Sequence, residues 1–155
     1  MAAEPRRPGL KLRAEDADDL AVISACLQDA IVPVRDLAYD PGAQEFLLVA
    51  NRFRWEGGIE PKPGAGGLER TLCGLSFREV TGVTYRGFRR SDVDRLLSLL
   101  AVRAEAGAAG ASVLLEFSGN AMIRLDVGRI DARATDFGEP WPTPWQPRHE
   151  AEAGK

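Results

Sequence analysis

The chain has one histidine, two cysteines and no apolar run approaching the ~20 residues that cross a bilayer. Each scarcity removes a class of function. His149 stands alone in a polar stretch between Arg148 and Glu150, which reads as a surface position. A serine or cysteine nucleophile activated by a histidine base is therefore disfavoured. Cys26 and Cys73 form no CxxC, so a disulfide scaffold is not indicated. A low-pKa thiol needs positive charge and solvent beside it, and both cysteines read instead as small buried hydrophobes. No GxxxxGK[ST] and no helix-opening GxGxxG follows the glycines at 57, 58, 64, 66 and 67, so these mark a flexible loop rather than a phosphate cradle. Met1 to Pro8 carries charge with no apolar segment behind it, which sets a cytoplasmic expectation. No cofactor and no membrane association are expected.

What is present is ordinary globular composition. A chain of 155 residues with 45% hydrophobic and 28% charged side chains is one domain, able to bury roughly two-thirds of its unfolded surface. The net charge of −3 speaks against general nucleic-acid or anionic-membrane binding. Charge is uneven: −4 over Met1–Asn51, +3 over Arg52–Arg95 and −2 over Leu96–Lys155. The basic middle makes a weak case for RNA, which would show as affinity falling steeply with salt.

Residues 1–9 read as a mobile N-terminus, 10–138 as the domain and 139–155 as an extended Pro/Trp tail. Leu10–Arg13 alternates like a short strand. Acids from Glu15 to Asp19 then open a helix, and Leu20, Ile23, Leu27 and Ala30 give it one apolar stripe. Val32–Tyr39 is extended, Asp40-Pro41-Gly42 is a turn, and Glu45–Trp55 is the return strand. The loop 56–68 is rich in glycine and proline. Strands follow at Thr71–Arg78 and Gly82–Phe88. Ser91 with Asp92 and Asp94 looks like a second helix start, and Val93, Leu96, Leu97, Leu100 and Ala104 look like its apolar face. Val113–Phe117 and Ile123–Val127 form a hairpin about Gly119-Asn120. Leu115 and Ile123 share a face only if the loop has an odd number of residues, so a three- or five-residue loop is expected. Gly128 allows a bulge before Ile130–Arg133.

Helix, strand, turn and strand thus recur twice, over Asp16–Trp55 and Ser91–Asp136. The expected fold is α+β: a mostly antiparallel sheet built from two helix–hairpin halves, with both helices packed on it. The runs Leu10–Leu20, Phe53-Arg54-Trp55-Glu56 and Ile130-Asp131-Ala132-Arg133 resemble a small bacterial family of single-domain proteins of unknown function. The resemblance extends from about Leu10 to Trp145. It implies a bacterial cytosolic protein and brings no activity and no functional residues with it.

Two groups stand out as candidate sites. Arg52, Arg54, Trp55, Arg86 and Arg90, with Arg78 and Arg89 nearby, would form an anion-binding patch if they converge, because guanidiniums grip carboxylate or phosphate in a two-pronged fork. The plainer reading is a solvated face paired with Glu56, Glu79 and Asp92. Trp141 and Trp145 either cap the core or anchor a protein partner. The acids Asp126, Asp131, Asp136 and Glu139 interleave with arginines and read as ion-pair partners rather than a metal cage. The function expected is a non-catalytic binding or adaptor domain that contacts an unknown protein partner or a second copy of itself. The alternative is a domain, possibly enzymatic, for an anionic metabolite held by Arg52, Arg54 and Arg86.

Overall fold

A computed structural model describes residues 9–53, 69–107 and 110–142. After β1 (Lys11–Ala14), extended Asp16 caps the first helix: its carboxylate accepts from the Asp19 N–H at 2.8 Å. Asp18 and Asp19 occupy the first turn, where unsatisfied N–H groups favour negative charge. Helix α1 (Ala17–Cys26) then buries Leu20 and Ile23, and Leu27 and Ala30 follow into the core.

The rest is strand: β2 (Ile31–Pro33), β3 (Leu37–Asp40), β4 (Glu45–Phe53), β5 (Glu69–Phe77), β6 (Val80–Arg86), β7 (Leu96–Gly107), β8 (Gly110–Phe117), β9 (Met122–Val127) and β10 (Ala132–Pro142). A 3-10 turn, Val34–Asp36, separates β2 from β3. All pair antiparallel in the order β1-β10-β5-β4-β2-β7-β8-β9-β6, with β3 beside β4. The sheet curls until β6, at its far end, meets β3. There the Tyr39 hydroxyl donates to the Val80 carbonyl at 2.9 Å, and the Val80 N–H donates to the Gln44 carbonyl at 2.8 Å. Only Arg78 and Glu79 link β5 to β6, which ties the last strand of the order back to the third. One continuous core fills the curl, from Ala14 and Leu20 through Phe46, Leu48, Leu75 and Phe77 to Leu115, Ile123 and Leu125.

This overturns the expected α+β architecture with two packed helices. Among the described residues there is one α-helix, and the fold is largely β. The segment read as a second helix is a turn followed by the long strand β7. The reason is a bulge. Leu99 pairs with Phe117 and Ala101 with Glu116, so Leu100 is an extra residue and the inward parity flips there. Leu97, Leu99 and Val102 point into the core and Ala104 is half-buried, a 2-3-2 spacing that imitates a helical stripe. Leu96 and Leu100, assigned to the helix's apolar face, are 50% and 47% exposed. The bulge is also covered by the true helix: Ser24 of α1 accepts the Val102 N–H at 2.9 Å. With β7, β8 and β9 forming a plain meander, the twofold repeat dissolves.

The β8–β9 turn has the expected odd length. Phe117 N–H donates to the Ala121 carbonyl at 2.9 Å around Ser118-Gly119-Asn120, and Leu115 pairs directly with Ile123, both buried. Gly119 (φ 74°) and Asn120 (φ 63°) supply the left-handed backbone this turn requires.

The strand assignment of β7 is directly testable. In urea denaturation, Leu99→Ala should lose about 2–5 kcal/mol, while Leu100→Ala should lose under ~0.5 kcal/mol. Equal losses would return the segment to a helix.

Candidate functional site

Two arginines near the open end of the β4–β5–β10 ladder lie on opposite faces. Arg52 is on the core face of β4 and is 0% exposed. Its guanidinium forks onto Asp136 of β10, Nε to Oδ1 at 2.8 Å and Nη2 to Oδ2 at 2.6 Å, and Nη1 donates to the Phe53 carbonyl at 2.9 Å. Cys73 of β5 lies between them in register, opposite both Ala50 and Asp136. The Leu10 N–H donates to Asp136 Oδ2 at 2.7 Å, and the Asp136 N–H returns a bond to the Leu10 carbonyl. One carboxylate thus ties β4, β10 and the entry to β1 together. Burial alone would raise the Asp136 pKa, but the hydrogen bonds from Arg52 and Leu10 outweigh it and hold the carboxyl below its ordinary value. Burial, then the neighbouring Asp136 charge, pushes the Cys73 thiol up to about 12.

The other predicted arginines are elsewhere. Arg86 is exposed at the end of β6, in register with Met122. Arg90 is exposed and stacks on Tyr85, 5.0 Å from the ring centroid, while donating to the Tyr85 hydroxyl at 3.0 Å and the Leu37 carbonyl at 3.5 Å. Burial raises the Tyr85 pKa, against the pull of Arg90. The structure therefore brings Arg86 and Arg90 to one end of β6 and encloses Arg52 separately with Asp136. Arg54, Trp55, Trp145, His149 and the glycine-rich loop lie outside the described residues. Trp141 pairs with Arg70 in the backbone register of β10.

The β6–β7 loop forms a cleft that the sequence did not reveal. It is open and lined by Gly87, Phe88, Arg89, Ser91, Asp92 and Arg95. Arg95 is held by donation to the Gly87 carbonyl at 3.0 Å, and Phe88 meets Tyr85 edge-on with ring centroids 5.8 Å apart. Gly87 (φ 81°) is obligatory: a Cβ there would come within 2.4 Å of the Asn120 carbonyl oxygen. Just beyond the cleft, Arg35 binds Asp94 and the Val93 carbonyl. Four arginines between positions 86 and 95 were a signal available in the sequence. The helix reading hid it by assigning Ser91 and the two aspartates to a cap.

Of the other acids singled out in the sequence, Asp126 and Asp131 have arginine partners, although Asp131 Oδ1 is buried and accepts no hydrogen bond. Asp126 receives Arg124 and the Ser112 hydroxyl, and Asp131, nearly buried, lies between Arg13 and Arg129 at 3.7 and 3.8 Å. Among the described residues no group of His, Cys, Asp and Glu could hold a metal ion, and no helix is long and apolar enough to cross a membrane.

These features define a curled antiparallel β domain that displays an arginine-lined cleft at the mouth of its β6–β7 loop. The chain belongs to the family described as Protein of unknown function (DUF2948), whose model matches residues 10–149. No curated protein and no solved structure matches it. Its function is uncharacterised.

The buried pair has a pH signature. Because the folded pKa of Asp136 lies below the unfolded value of about 3.9, the pair's contribution is complete above that pH and disappears as pH falls through the folded value. Asp136→Asn should cost about 3–5 kcal/mol at neutral pH by stranding the Arg52 charge. It should also flatten the loss of urea midpoint below pH ~4. An unchanged acid profile would remove Asp136 from this role. Cys73 should resist iodoacetamide at pH 8 in the folded protein and react in denaturant, as read by peptide mass spectrometry. Native labelling of Cys73 would contradict its enclosure.

Proposed function

We propose that this is a protein-binding domain that recognises an acidic segment of its partner through residues 86–95 and the apolar strip beside them. The observation that carries the reading is the mixture of side chains there. Arg86 and Arg89 are exposed and have no acidic partner among the described residues, Arg90 and Arg95 are clamped, and Val93, Leu96 and Leu100 are about half exposed. Arginine next to apolar surface is the composition of interface hot spots. Guanidiniums already oriented by a ring and a carbonyl lose less freedom on binding. Residues 86–95 carry four arginines and two aspartates, a balance of +2 in a chain of net −3, so charge complementarity favours an acidic partner.

An open cleft suits an extended segment better than an enclosed metabolite. The metabolite alternative through Arg52, Arg54 and Arg86 shares only Arg86 with this surface. A bacterial cytoplasmic setting belongs to the same proposal, and the partner is another protein rather than a second copy of the chain.

The test is fluorescence anisotropy with a labelled peptide of alternating Glu and Leu at low salt. Wild type should bind it and ignore a Lys/Leu counterpart. Arg86→Glu with Arg89→Glu should weaken binding by about ten-fold or more, since hydrogen bonds to charged groups contribute ~1.5–3 kcal/mol each. Absence of binding at low salt, or equal binding by the double variant, would sink the proposal.

A further inference from the structure

Arg70 is nearly as enclosed as Arg52, at 8% exposed, but lies on the outer face of the same ladder. Phe53 of β4 is its cross-strand partner, and its guanidinium carbon sits 4.1 Å over the centre of the Phe53 ring. Asn51, two residues along β4, takes one side of the fork: Nε donates to Asn51 Oδ1 at 2.6 Å and Nη2 to the Asn51 carbonyl at 2.9 Å. Side chain and backbone of a single asparagine thus fix the plane of the guanidinium. Both acceptors are neutral. Among the described residues no carboxylate comes within ion-pairing distance, and burial is the cause that lowers the Arg70 pKa.

A charge enclosed without a counter-charge is unusual, because desolvation is costly unless an opposite charge or a full set of hydrogen bonds compensates. Arg52 shows the ordinary solution, a carboxylate across both prongs. Arg70 is the same residue type on the opposite face, with its Nε–Nη2 side taken by Asn51. At the Nη1–Nη2 end each terminal nitrogen keeps a hydrogen that donates to no described residue. That end presents two parallel N–H groups, the geometry that fits a planar carboxylate.

The surroundings define the rest of the ligand. Leu72 follows Arg70 on the same face of β5, and Phe137 of β10 lies directly opposite Leu72. Phe137 is 44% exposed, and its ring lies over Gly74. From Asp136 onward the outer edge of β10 has no strand beside it among the described residues. We propose that Arg70 anchors a second binding site, for a carboxylate carried on an apolar or aromatic body, with Arg70 gripping the carboxylate and Phe137 and Leu72 contacting the body. This site is independent of the arginine-lined cleft.

The test is a titration of the isotope-labelled full chain, followed by NMR at the Arg70 Nε–H, the Asn51 side-chain amide and the Phe137 ring. Phenylacetate, acetate, inorganic phosphate and a blocked glutamyl–phenylalanine peptide are the probes. Phenylacetate or the peptide should give saturable shifts at these three groups, with acetate weaker for want of a body and phosphate weaker for want of planarity. Tighter binding of phenylacetate assigns a small acid and tighter binding of the peptide assigns an acidic protein segment; either upholds the site. Arg70→Gln should weaken the carboxylate by about ten-fold or more. Because that variant also disturbs the Phe53 stack, Phe137→Ala is the companion: it should weaken phenylacetate and leave acetate unchanged. No saturable shift, shifts confined to residues 86–95, or equal shifts in Arg70→Gln would overturn the proposal. So would Arg70 signals that answer to Glu69→Gln instead of ligand, since the chain would then supply its own carboxylate.

Discussion

The fork between Arg52 and Asp136 holds the fold's open end together. It reaches across β5, so three strands are committed to one register, and the Leu10 bonds to Asp136 dock the N-terminal strand onto the same point. Such a pair contributes little net stability against an apolar replacement, because both ions lose their water. Its consequence is specificity. Slipping β10 by one residue would turn Asp136 outward and leave Arg52 charged inside the core. The prolines of β10 can then lie along an edge, where a missing N–H does no harm.

The rest of the charge distribution follows from how the sheet curls. On the outer face of β7, β8 and β9 the ions are mutually satisfied: Arg103 meets Glu116 and Arg124 meets Asp126. Between these arginines in register sits Leu114, outward-pointing yet almost buried, as expected when long basic stems lie over an apolar neighbour. This face is self-contained. The β6–β7 loop is different, because its arginines are oriented by a tyrosine and by carbonyls and not by acids. Arg70 departs in a third way, being enclosed and held by one neutral residue. These two places, where arginines are held without acids among the described residues, are the ones on which the two proposed sites rest.

Much of the local structure was legible. The acid-rich start of α1, its buried Leu20 and Ile23, and the odd loop between β8 and β9 follow from capping, helical period and strand parity, which act over a few residues. The segment Ser91–Ala104 was misread because a single bulge at Leu100 changed the strand period into something close to a helix's. Nothing local distinguishes the two, since the deciding contacts come from β2 on one edge and β8 on the other.

The sequence alone determined composition, the first helix, most strand positions and the presence of an arginine-rich middle. Tertiary structure decided what each arginine is for. Arg52 and Asp136 are 84 positions apart, and Arg70 meets Asn51 across 19. Hydrophobic period and caps are short-range and are written into neighbouring residues. Burial of a charge, and whether a carboxylate arrives to meet it, depends on how distant strands are aligned, and that is settled only when the sheet closes.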